Sequence, residues 1–276
     1  MLKTVKLITS VILAHKVGLY LLRLHQDHSQ NYIKFGEGLI LITKFYGHIS
    51  APYFPTCYGD DPQISKCLLK QANTMRPYIV NGVKEIRFPS LNPYIFPNFF
   101  LNHTSGDYKT EGYIRKFTFL GFDKYVISEV LFYPKDVLLR GKVHFQYLPF
   151  ASLYHLKSNW GSVPLSGKGQ FGGLMQNVTF GFTIIGDLIS KDEVKHCKIT
   201  NFDIRLNIEH CYLQVDGLKH PDGSWGNTNE LFRKNSDLTA TLLTPALQEI
   251  FKKYIREYMD WFLEEFSFNV LFPNLL

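Results

Sequence analysis

Apolar residues change their period twice along this chain, and the changes divide it into helix, sheet and helix. Around residues 62–80 they recur at helical spacing, at Ile64, Cys67, Leu68, Met75 and Ile79. Asp60-Asp61-Pro62 supplies a helix start, with an acidic cap and a first-turn proline, and Asn81-Gly82 supplies a stop. Further on the period falls to two. Val143, Phe145 and Tyr147 alternate with His144 and Gln146, and Val178, Phe180, Phe182 and Ile184 alternate with Thr179, Gly181 and Thr183. The clearest run sets Phe202, Ile204, Leu206 and Ile208 against Asp203, Arg205, Asn207 and Glu209. Strands with one apolar and one wet face belong to an antiparallel sheet. Gly121, Pro134, Gly141, Pro164, Gly167-Lys168-Gly169 and Gly172-Gly173 read as its turns. Thr244-Pro245 then reads as the cap and first turn of a last helix ending near Phe266, about 30 Å long. Its apolar face is Leu247, Ile250, Phe251, Tyr254, Ile255, Tyr258, Met259 and Phe262.

Cys57 and Cys67 flank the start of the first helix, close enough to bridge. A loop that short would contribute roughly 2–3 kcal/mol in the chain-entropy model. The disulfide is the expectation, and with it an oxidising compartment; two buried thiols are the alternative. His196-Cys197 and His210-Cys211 repeat a dipeptide that invites a metal-pair reading. The segment between them alternates as one strand, and fourteen extended residues span more than about 40 Å. Neither a shared metal nor a Cys197–Cys211 bridge survives that distance unless a turn intervenes near Thr200-Asn201, so the redox state of this pair stays open.

The block Cys57, Asp61-Pro62, Cys67-Leu68, Arg76-Pro77, Gly82 and Pro89, Leu91, Pro93, Pro97 resembles the N-terminus of the insect haemolymph juvenile-hormone-binding and takeout family. The resemblance covers about residues 52–276 and is visible again at Leu271-Phe272-Pro273. It implies an α+β fold, an elongated super-roll of the tubular lipid-binding superfamily. In that fold a highly curved antiparallel sheet wraps a long N-terminal helix, a long C-terminal helix follows, and an apolar tunnel runs inside.

Composition fits one globular domain, 45% hydrophobic and 20% charged, with an aromatic share of 15% that could line a cavity or fill a core. The net charge of +6 misleads. Residues 1–51 carry six Lys/Arg and two Asp/Glu, so the remainder holds only +2, and with no basic stripe nucleic acid is excluded as a partner. Leu7–Leu22 opens as a signal-like apolar run but is broken by His15-Lys16, and Gly38–Ile42 is followed by Ile49-Ser50-Ala51. Neither is long enough to span a membrane. The expected organisation is a secretory leader over 1–51, ending near Ala51, and a lipid-binding domain over 52–276; a disordered cytosolic tail is the alternative.

Catalytic chemistry has no foothold. There is no GxSxG elbow and no HExxH, and Lys168 lacks the GxxxxGK[ST] frame of a phosphate loop. No enzyme activity, cofactor or metal is expected. The sequons at Asn102 and Asn177 suit a secreted protein, Asn102 being the more accessible because Asn177 abuts a strand. Together with the resemblance, these features point to a secreted, extracellular, monomeric carrier of a juvenile-hormone-like terpenoid, fatty acid or other lipid. The candidate tunnel lining is Met75, Ile79, Phe180, Phe182, Ile184, Ile204, Leu206, Ile208, Ile255 and Met259, each of which would serve equally in a solid core. Two rivals stand beside the carrier: a lipid-transfer protein in transient contact with membranes, and an interaction or signalling protein whose tunnel has collapsed.

Overall fold

The computed structural model describes residues 32–35, 38–41, 56–191, 193–220, 222 and 228–275. Most of the expected leader therefore lies outside the described residues. Two compact units divide the chain at residues 48/49. In the first, β1 (Tyr32–Phe35) pairs antiparallel with β2 (Gly38–Leu41).

The second unit is built on three very long strands. β7 (Leu138–Trp160), β8 (Val163–Lys191) and β9 (Val194–Val215) run antiparallel in sequence order. The far edge of β7 is shared by β6 (Val126–Tyr133) and β5 (Tyr108–Phe119), and β5 carries β4 (Phe99–Ser105) and β3 (Tyr94–Ile95). The short β10 (Leu218–Lys219) closes on the start of β8.

The sheet curls because its pleat slips along one line. The core-facing positions Phe145, Val178 and Ile208 are mutual cross-strand partners. The next core-facing row is Leu148, Met175 and Cys211, again mutual partners. Two residues rather than one separate these rows on every strand, so Gln146-Tyr147, Gln176-Asn177 and Glu209-His210 mark a crease across the sheet. Asn177 sits there in the left-handed region at φ 52° and donates from Nδ2 to Glu209 Oε2 at 2.6 Å. The crease corrects the expected alternation: Tyr147 is half exposed, not paired in phase with Phe145. Thr200-Asn201 forms a bulge opposite Ile185 and Gly186, not a turn, so β9 continues unbroken and Cys197 and Cys211 are buried free thiols.

Nor are the glycine clusters of β8 turns. A Cβ on Gly167, Gly169 or Gly173 would come within 2.1, 2.3 or 1.9 Å of the carbonyl oxygens of Gly217, Asp216 and Tyr212. These positions are bare so that β9 and β10 can press against β8, and the reversal itself falls at Gly161, φ 60°.

The helices pack on this frame. α1 (Ile64–Ile79) begins after Asp61 Oδ1 accepts the Gln63 N–H at 2.7 Å. Cys57 and Cys67 form the expected disulfide at its start. Ser65 Oγ accepts the Phe132 N–H at 2.9 Å and Tyr125 donates to the Ala72 carbonyl at 2.7 Å, tying α1 to β6 and the turn before it. α2 (Thr228–Lys234) leads into α3 (Ser236–Glu265), and α4 (Phe268–Leu271) ends the chain's regular structure. α3 starts nine residues before the expected Thr244-Pro245 and carries Pro245 inside it. A helix interior proline costs about 3 kcal/mol. Thr239, Ala240, Ala246 and Leu247 on either side of it are buried, so the helix is held by packing rather than by local propensity there. α3 also covers the free edge of β9: Gln248 Oε1 accepts the Leu206 N–H at 3.0 Å and Arg256 donates to the Ile199 carbonyl at 3.0 Å. The C-terminal segment returns to β6 and to the segment before α1, with Phe272 stacked on Phe132 at 4.5 Å and Pro273 accepting the Gly59 N–H at 2.7 Å.

Candidate functional site

Between the inner face of the sheet and α3 lie two regions of different character. Across the crease, rings interlock around α3. Phe251 of α3 meets Phe180 at 4.9 Å, Phe96 at 5.3 Å and Phe119 at 5.8 Å between centroids, mostly edge to face or tilted. Phe122 and Phe145 complete this packing at 5.4 Å from each other. Pairs in this geometry add about 0.5–1.5 kcal/mol beyond area burial, so the region is solid and strongly held.

Beyond these rings, towards the β4–β5 and β7–β8 reversals, lies a cavity of about 130 Å³. Its floor is the sheet: Phe99 and Leu101 from β4, Ile114 and Phe117 from β5, Phe150 and Leu156 from β7, Met175 from β8 and Leu213 from β9. Its roof is Phe232 of α2 with Leu243, Leu247 and Ile250 of α3. Phe117 and Phe150 form the wall towards the solid region, since Phe119 lies 4.7 Å from the first and 6.0 Å from the second.

Three lining residues are polar: Thr110, Tyr154 and Ser158. Tyr154 donates to the Asp216 carbonyl at 2.6 Å. Burial, with Asp216 adding to it, pushes the Tyr154 phenol up to about 12, so it stays neutral across physiological pH. Thr110 Oγ1 and Ser158 Oγ are 2.7 Å apart and share one hydrogen bond. Such a site can remove an apolar chain from water and orient one polar group, and among the described residues no cluster of His, Cys, Asp or Glu could hold a metal.

The ten residues expected to line a tunnel fall elsewhere. Ile79, Phe180, Ile184, Ile204, Leu206 and Ile208 are buried core, while Met75, Phe182 and Met259 are half buried against it. Ile255 is 39% exposed on α3. None of the ten touches the cavity, whose lining comes from the stretch beyond the crease. Sequence reasoning missed Phe99, Leu101, Thr110, Ser158 and Phe232, because only strand register and, for Phe232, the packing of α2 over the sheet bring them together. Of the two sequons, Asn102 is exposed on β4, whereas Asn177 is half buried and bonded to Glu209.

Comparison with known proteins agrees with this architecture. The crystal structure of Epiphyas postvittana Takeout 1 superposes with a TM-score of 0.56 at 15% identity, covering 79% of this chain and 99% of that one. A lipopolysaccharide binding protein structure aligns at 12% identity over 68% of this chain and 37% of that one, with a TM-score of only 0.30. No curated protein sequence matches. The family model described as haemolymph juvenile hormone binding protein matches residues 39–273, and the chain therefore belongs to that family.

Proposed function

We propose that the protein is a secreted carrier that takes a small hydrophobic ligand into the cavity between the curled sheet and α3. The observation that carries this reading is the cavity itself, a void walled by leucine, phenylalanine and methionine with three hydroxyl groups. Family membership and the Cys57–Cys67 disulfide support it, the disulfide arguing for an oxidising destination. Affinity would come from apolar area removed from water at about 25 cal/mol per Å². An apolar cavity of ~150 Å³ takes one benzene, so a void of about 130 Å³ holds roughly a six-carbon unit. Terpenoid or fatty-acid ligands would then need Phe117 and Phe150 to swing aside. The resulting tunnel would run along the inner sheet face towards Phe180, Ile204 and Leu206, three of the residues named from the sequence. In this reading the leader is removed near Ala51, Asn102 carries the glycan, and the mature chain acts as a monomer.

The aromatic packing around Phe251 favours a second reading, an interaction protein whose tunnel has closed. Native mass spectrometry on the secreted protein, followed by solvent extraction, separates the two. An apolar ligand at near one-to-one stoichiometry supports the carrier. A protein that is empty and takes up neither a fluorescent fatty acid nor a terpenoid favours the closed-tunnel reading. The same spectrum gives the mature mass, which the leader proposal sets at a chain starting at Pro52.

A further inference from the structure

The antiparallel register lines up three polar residues across three strands. His103 on β4 is the partner of Thr110 on β5, and Thr110 is the partner of Ser158 on β7. Directly opposed side chains on one face stand about 4.5–5.5 Å apart at Cβ. Thr110 and Ser158 line the cavity, and their hydroxyls are 2.7 Å apart. His103 follows Leu101, itself a lining residue, by two positions and so shares its face. The row lies at the end of the cavity nearest the β4–β5 and β7–β8 reversals.

The hydrogen bonds along this row do not close. His103 Nε2 is buried and has no partner among the described residues. The two hydroxyls carry two protons and their mutual bond uses one, and neither has another partner among the described residues. Tyr154, the remaining polar lining group, is already committed to the Asp216 carbonyl. Buried polar groups in native folds are nearly always paired, so an unclosed row beside an apolar void marks a place for a ligand atom.

We infer that His103, Thr110 and Ser158 form a headgroup site that hydrogen-bonds the oxygen acceptor, a carboxylate or an ester carbonyl, of a ligand whose apolar chain fills the cavity. The inference rests on the carrier reading and adds the ligand's polar end and its direction: oxygen at the strand reversals, chain towards Phe117 and Phe150. His103 Nε2–H and the spare hydroxyl proton supply two donors, which suits one oxygen or the two of a carboxylate.

The test uses the full chain, competing hexanoate, methyl hexanoate and hexane against bound N-phenyl-1-naphthylamine at pH 7.4. In His103→Leu and Thr110→Val, hexanoate and the ester should lose at least tenfold relative to hexane. In the unmodified protein the His103 ring nitrogen resonances should move on adding hexanoate or the ester and stay still with hexane. Loss with hexanoate alone assigns a free acid as the ligand source, and equal loss with the ester assigns an esterified one. An unchanged ratio together with an unmoved His103 signal overturns the headgroup site. An unmodified protein that binds none of the three overturns the carrier reading beneath it.

Discussion

Phe150 belongs both to the cavity wall and to the solid aromatic region, packing 6.0 Å from Phe119 and 6.2 Å from Phe171. Replacing it with alanine should therefore do two opposed things. Stability should fall by about 3–5 kcal/mol, as for other buried aromatic truncations, read from urea unfolding. The cavity should lengthen, so the chain length bound most tightly should rise; an unchanged preference would show that Phe150 does not separate the two regions. Cys197 and Cys211 make a different kind of prediction. Burial, with Asp187 adding to it, pushes the Cys197 thiol up to about 11, and burial pushes Cys211 up to about 12. An unfolded thiol ionises near 8.5. Below that value both states keep the proton, so the effect on stability is nil. As pH climbs towards 11 and 12 only the unfolded chain ionises, and stability falls. The urea midpoint should drop between pH 8 and 10.5, and the drop should shrink in Cys197→Ala/Cys211→Ala. Neither thiol should react with a disulfide reagent at pH 8 until the chain is unfolded.

Pro245 shows how packing overrides local signals. Thr244-Pro245 has the form of a helix start, yet Thr244 Oγ1 donates to the Ala240 carbonyl at 2.7 Å and the helix runs straight through. Pro245→Ala restores a backbone donor to the helix interior, offset by a freer unfolded chain, and should stabilise by about 1–2 kcal/mol. A loss of stability would mean that the proline ring packs better than its backbone defect costs. The disulfide at α1 acts through the other state: removing it with Cys57→Ser/Cys67→Ser should cost roughly 3 kcal/mol, measured against the intact protein under the same denaturant. The cysteine-helix block and the alternation of Phe202 to Ile208 were legible because each is local, one a spacing and the other a wet and a dry face. The crease was not, since it falls at Gln146, Gln176 and Glu209, three distant places that only strand pairing aligns. The cavity was equally hidden, because Leu243 or Phe99 beside a void is as apolar as Ile204 in solid core. The polar row of His103, Thr110 and Ser158 exists only through register.

A curled sheet closed by one long helix has a single interior, here divided between interlocked rings and a void. The rings hold the fold, while the side chains lining the void go without contacts that a filled interior would give them. A ligand that fills it binds the folded chain and not the unfolded one, so it must raise the unfolding free energy by mass action. At a hundredfold excess over its dissociation constant the gain is about 2.7 kcal/mol. For a unit of this size that corresponds to a rise in Tm of about 5–10 °C. A series of carboxylic acids from six to sixteen carbons, compared in calorimetric melts at one common ligand concentration, should show a rise for six-carbon chains without any ring moving. Longer chains must displace Phe117 or Phe150 and forfeit part of the ring packing, so their affinity should fall below what added apolar area alone would give. A smooth gain of about 0.8 kcal/mol per added CH₂ across the series would mean that the tunnel is already open in solution. No rise for any chain would mean that the void holds no ligand and that the interior serves only the fold.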